Sequence, residues 1–160
     1  AIEQAFKIAR KQNITTVLNP APAIELPKSL LELTDIIIPN ETEAELLTGI
    51  SINNESDMKE TATYFLDLGI SAVLITLGEQ GTYCAYQEQY KMIPACNVKA
   101  VDTTAAGDTF IGAFLSELNK DLSNLESAIR LANQASSLTV QRKGAQASIP
   151  TRKEVEAEYN

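Results

Sequence analysis

Three short apolar runs, ITTVLN (14–19), DIIIP (35–39) and SAVLITL (71–77), constrain this chain more than any other feature. They are rich in β-branched residues and nearly free of polar interruption, which is how strands covered on both faces of a parallel sheet read. A helical pattern precedes each one, over 1–13, 28–33 and 56–69, the last with Met58, Ala62, Phe65 and Leu66 on one side and Gly69 as its stop. Alternating strand and helix with right-handed crossovers predict a three-layer α/β/α sandwich on a mostly parallel, Rossmann-like sheet. After residue 78 the rhythm changes. GTYCAYQEQYKMIPACNVKAV has strand-like stretches joined by tight polar turns, which predicts an antiparallel meander at one edge of that sheet. Two long helices over 105–119 and 123–142 follow, and KGAQASIPTRKEVEAEYN closes the chain.

Composition narrows the function classes. With 160 residues, 44% of them hydrophobic, the chain has enough apolar side chain for a globular core. Its net charge of -8 and the lack of any Lys/Arg stripe argue against nucleic acid as a partner. The longest apolar runs are strand-sized, and no basic segment followed by an apolar one opens the chain, so a soluble, cytoplasmic protein away from membranes is expected. Cys84 and Cys96 fit no metal or redox spacing and read as reduced thiols. Histidine is absent, which excludes imidazole-dependent triads and histidine zinc sites for this chain taken alone. Proton transfer then falls to carboxylate, Lys, Tyr or Cys. The opening AIEQAFKIARKQN starts in mid-pattern, as expected of a piece of a longer protein.

The stretch VDTTAAGDTFIGAF carries the chemistry. Neither the G-x-x-x-x-G-K-[ST] phosphate loop nor the G-x-G-x-x-G fingerprint occurs, since Ala113 and Phe114 follow Gly112. A different phosphate device is available. Thr103 or Thr104 can cap a helix, leaving the amides of Ala105, Ala106 and Gly107 uncovered by side chains at an anion-attracting terminus. Asp108, just inside that helix, can accept a proton from an attacking hydroxyl. A plain cap with a dipole-favoured acid explains the same residues.

VDTTAAGDTFIGAF, together with TLGEQG, PNETEAELLTG and RKGAQASIP in order and at matching spacing, resembles the ribokinase family of sugar kinases across essentially all 160 residues. The resemblance implies a ribokinase-like fold and transfer of the γ-phosphate of ATP to the 5-hydroxyl of D-ribose. This chain would be the C-terminal, ATP-binding part, with the lid and most sugar contacts in a missing N-terminal part and the whole enzyme a homodimer. It also implies that Ala105, Ala106 and Gly107 form an anion hole, and that Asp108 is the base and the one retained substrate contact. A monovalent cation, K+, would be held by the side chain of Asp102, carbonyls of Thr104, Thr139, Arg142 and Gly144, and the Ser148 hydroxyl. QRKG also reads as a helix end with Arg142 and Lys143 complementing the dipole and Gly144 as C-terminal cap.

PNETEAELLTG offers two capping boxes, Asn40 with Glu43 and Thr42 with Glu45, and local structure accounts for either. The resemblance implies that Asn40 and Glu43 order Mg2+ and the phosphates of ATP, Glu43 through water. Thr76, Gly78 and Gly81 resemble the nucleotide-contacting turn, and Asn133 an adenosine-side contact. A plain turn would use the same glycines.

Overall fold

The computed structural model describes residues 1–22 and 24–159. They fold as two compact units, one of Ala1–Leu77 with Tyr83–Met92, the other of Gly78–Thr82 with Ile93–Asn160.

The first unit carries a five-stranded sheet in the order β1-β2-β3-β4-β5. β1 (Val17–Leu18), β2 (Ile36–Ile37) and β3 (Ala72–Thr76) are parallel, with Val17 opposite Ile36 and Ile36 opposite Ala72. All three predicted strands are present, but the first two are shorter than their apolar runs. Pro20 follows the first run and Pro39 ends the second, and both lack the N–H that would extend the ladder. The Pro39 carbonyl still accepts the Thr76 amide at 2.9 Å, so Asn40 and Thr76 form a bridge just past the strand ends. β4 (Thr82–Tyr86) and β5 (Gln89–Ile93) lie at the far edge. Only Gln87 and Glu88 separate them, both at positive φ (48° and 62°), the conformation of a two-residue hairpin turn. The expected meander is this one hairpin, because residues 94–100 form no regular strand.

Among the described residues, four helices belong to this unit: α1 (Ile2–Lys11), α2 (Lys28–Leu31), α3 (Glu41–Thr48) and α4 (Glu55–Asp67). α4 ends as expected, with Gly69 at φ 91° just beyond it. Its Met58, Ala62 and Phe65 join Ile37, Val73, Ile75 and Tyr83 in the core. Each such large side chain, fully buried, contributes about 1.5–3 kcal/mol.

The second unit is built on α5 (Ala106–Glu117), α6 (Leu125–Thr139) and α7 (Arg152–Tyr159). α5 buries Phe110 and Phe114, stacked at 6.3 Å, and α6 buries Ala128, Ile129 and Ala132. Ala135 and Leu138 of α6 pack with Val155 of α7. α7 has no counterpart among the predicted elements, and α6 is shorter than expected. It closes at Thr139 with Val140 as C-cap, so Gly144, at φ 97°, lies well past its end and does not cap it. No helix among the described residues is long and apolar enough to cross a membrane.

Candidate active site

The second unit presents the start of α5 in an unusual state. Ala105 precedes the helix in left-handed backbone, φ 63°, and no side chain caps the end. That conformation costs an L-residue roughly 1–2 kcal/mol, so the surroundings impose it. The expected hydroxyl cap from Thr103 or Thr104 does not form. Instead, the Thr104 amide donates to Asp102 Oδ1 at 3.0 Å, and the Thr103 carbonyl accepts the Ala106 amide at 3.2 Å. Asp102, a charged acceptor two residues before Thr104, takes the turn that a threonine cap would need.

The amide count is thereby corrected. Ala106 is engaged, while the amides of Ala105, Gly107 and Asp108 have no acceptor among the described residues. Two of these open donors, Gly107 and Asp108, lie in the first turn, where the positive end of the helix dipole adds to them. Asp108 itself is exposed, and no partner for its carboxylate occurs among the described residues. It borders an open groove of about 300 Å³ whose walls include Gly112, Ala113, Leu131, Ile149 and Val155.

Hydrogen bonds link several of the residues expected to hold K+. The amides of Val101 and Asp102 donate to the Val140 carbonyl at 2.7 and 3.1 Å, which pins the 101–104 segment to the end of α6. Asp102 Oδ2 accepts the Gly144 amide at 3.0 Å and so ties that segment to the 142–148 loop. Hydrogen bonds from the Gly144 amide, then from Thr104, hold the Asp102 carboxyl down at about 2. The Arg142 amide donates to the Thr139 carbonyl at 3.0 Å, and the buried Ser148 hydroxyl to the Ala145 carbonyl at 2.6 Å. Arg142 and Lys143 lie beyond the last turn of α6, so they do not complement its dipole. The Arg142 guanidinium pairs instead with Glu154 of α7 at 2.8 Å.

In the first unit, Asn40 and Thr76 sit side by side at the carboxyl ends of β2 and β3, the place where open α/β sheets receive ligands. Of the two possible capping boxes, Asn40 with Glu43 forms: Asn40 Oδ1 accepts the Glu43 amide at 2.8 Å, and Glu43 Oε2 the Asn40 amide at 2.9 Å. Glu43 is buried and commits one carboxylate oxygen to this box.

Gly78 opens a short 3-10 turn, Gly78–Gln80, and Gly81 follows it, in the second unit. Asn133 is 6% exposed, and its amide is spent internally. It donates to the carbonyls of Ile93 and Pro94 at 3.1 and 3.2 Å and accepts from the Thr82 hydroxyl at 2.9 Å. With both donors engaged, Asn133 braces the Thr82 and Ile93–Pro94 backbone.

Sequence reasoning missed three participants: the side chains of Ser136 and Thr139, and Glu154. The first two look like ordinary helix residues in ASSLTV, and only the packing of α5 on α6 reveals their polar contacts. Glu154 had a signal, since Thr151 and Glu154 have capping-box spacing.

Fold and site together define an α/β protein with an uncapped helix terminus beside an unpaired carboxylate. Residues 1–152 match the pfkB family carbohydrate kinase, and the chain belongs to that family. It is 63% identical over 155 residues to a ribokinase of Staphylococcus aureus, covering 97% of this chain and 51% of that protein. It is 47% identical over 153 residues to a ribokinase of Haemophilus influenzae, covering 96% and 50%. The solved structure of Arabidopsis thaliana ribokinase complexed with ribose and ATP superposes with a TM-score of 0.90 at 34% identity, covering 97% of this chain and 50% of that one. The chain thus spans about half the length of the curated relatives it matches.

Proposed function

We propose that this chain is the ATP-handling, C-terminal part of a ribokinase, which transfers the γ-phosphoryl group of ATP to the 5-hydroxyl of D-ribose. The carrying observation is the uncapped start of α5, where open amides at Gly107 and Asp108 stand beside an unpaired Asp108 carboxylate. Phosphoryl transfer needs positioning and charge stabilisation more than covalent help. In the proposed step, Asp108 takes the proton from O5 as the O5–P bond forms. The bond from the γ-phosphorus to its bridging oxygen breaks, and ADP leaves. The open amides stabilise the charge on the migrating group's equatorial oxygens.

On this reading, Asn40, Thr76, Gly78 and Gly81 serve the nucleotide, and Asn133 its adenosine side. Glu43 keeps an uncommitted carboxylate oxygen for the water shell of Mg2+, a hard cation that needs few direct protein ligands. The residues matched to K+ also fit their ion. They supply carbonyl, hydroxyl and carboxylate oxygens, and each carboxylate oxygen of Asp102 retains lone-pair capacity after accepting one amide. A bound monovalent cation would supply positive charge behind the anion site. The proposed enzyme is a cytoplasmic homodimer whose small-molecule partners are ATP and D-ribose.

The test is a coupled ADP-release assay on the complete reading frame that contains these residues, with ribose, deoxyribose and fructose as acceptors. Ribose-dependent turnover is expected, and Asp108→Asn lowers kcat by about 10²–10⁴-fold. Preference for another acceptor replaces ribose in the proposal. Unchanged turnover in the Asn variant removes Asp108 as base and favours a module that binds nucleotide without chemistry.

A further inference from the structure

Helix ends usually take their rotational setting from a cap, and the start of α5 has none. Two polar contacts from α6 reach this turn instead. The Ser136 hydroxyl donates to the Ala106 carbonyl at 2.9 Å. The Thr139 hydroxyl shares its proton between Thr109 Oγ1 at 3.0 Å and the Ala135 carbonyl of its own helix at 3.2 Å. Thr109 is 5% exposed and Thr139 fully buried, so this hydroxyl pair lies in a low-dielectric seam where hydrogen bonds are strong and directional.

Ala106 and Thr109, the residues gripped by α6, bracket Gly107 and Asp108. We propose that Thr109, Thr139 and Ser136 are positioning residues, a polar seam that fixes the azimuth of the first turn of α5 and hence the aim of the open amides and of the Asp108 carboxylate. This rests on the phosphoryl-transfer reading above and names the residues that make its geometry repeatable. The seam also meets the loop behind the site: the Thr139 carbonyl accepts the Arg142 amide, and Gly144 two residues on holds Asp102. A shift of the seam therefore reaches the base and the Asp102 tether together.

Thr109→Val is the sharpest probe. It keeps the shape and removes the acceptor, while the Thr139 hydroxyl retains the Ala135 carbonyl, so the fold is expected to hold. In the complete protein, with wild-type turnover established first, kcat for the sugar kinase reaction is expected to fall about tenfold, in line with the sensitivity of reaction rate to small misplacements. KM for ATP stays within about twofold, because loss of alignment is felt in the chemical step more than in uniform binding. Thr109→Ser, which restores the hydroxyl, returns most of the lost kcat. Ser136→Ala gives a second loss of kcat at a half-buried site that tolerates alanine, and it decides the matter should Thr109→Val not fold. Unchanged kcat in the Val and Ala variants, or equal impairment in Val and Ser, overturns the seam. A wild type without acceptor-dependent turnover removes the function itself, and the seam with it.

Discussion

Gly81 shows what a single residue can dictate. Its φ of 111° lies where L side chains are strained, and an added Cβ would overlap the Ile93 carbonyl oxygen and stand 2.6 Å from the Ala95 nitrogen. Backbone on that side cannot yield as a flexible side chain would. Gly81→Ala is therefore expected to lower stability by about 2–4 kcal/mol, read as a shift in urea midpoint at constant slope. A change below about 0.5 kcal/mol would mean that the 93–95 segment moves aside freely. TLGEQG made a turn legible here, but not the close approach, which depends on residues a dozen positions away. Ala105 was less legible still. Nothing in TTAAGD marks which small residue leaves the helix, because an alanine avoids left-handed backbone unless its neighbours enforce it.

Elements were legible where local chemistry decided them. The repeated β-branched runs located all three parallel strands, and the Asn40 and Glu43 spacing located the start of α3. The tethers between elements were not, since Asp102 meets Gly144 only after the chain has folded back across α5 and α6. This tether makes a pH prediction. The Asp102 carboxyl is depressed from 3.8 to about 2, so its contribution to folding is fully present above about pH 4 and disappears as pH falls towards 2. Glu154, lowered from 4.5 to about 2 first by the Thr151 amide, then its hydroxyl, and then by Arg142, acts in the same sense, its contribution being lost as pH falls from about 4.5 towards 2. Thermal melts at half-unit steps between pH 5 and 2 are expected to fall more steeply for the wild type than for Asp102→Asn. Parallel curves would show that the Gly144 and Thr104 contacts do not discriminate carboxylate from amide.

For the molecule as a whole, strand–helix alternation made the α/β class readable, but the division into two units was not. No linker composition marks it, because the segments that change units near 78–82 and 93 are ordinary strand-edge residues whose allegiance is set by long-range packing. The whole-chain prediction follows from what the proposed site residues do. Several residues are assigned to ATP, whereas only Asp108 is assigned to the sugar. One carboxylate does not hold a neutral sugar in reacting geometry, since alignment needs several fixed polar contacts and exclusion of water. These 160 residues by themselves are accordingly expected to bind a non-hydrolysable ATP analogue with a Kd of about 0.1–1 mM, roughly -5.5 to -4 kcal/mol, and to release no ADP in response to ribose. Calorimetry in KCl against a large organic cation reads the first part, with Asp102→Asn expected to remove the KCl-dependent share. Ribose-dependent turnover by the isolated chain at the rate of the complete reading frame would show that residues of this chain besides Asp108 hold the sugar.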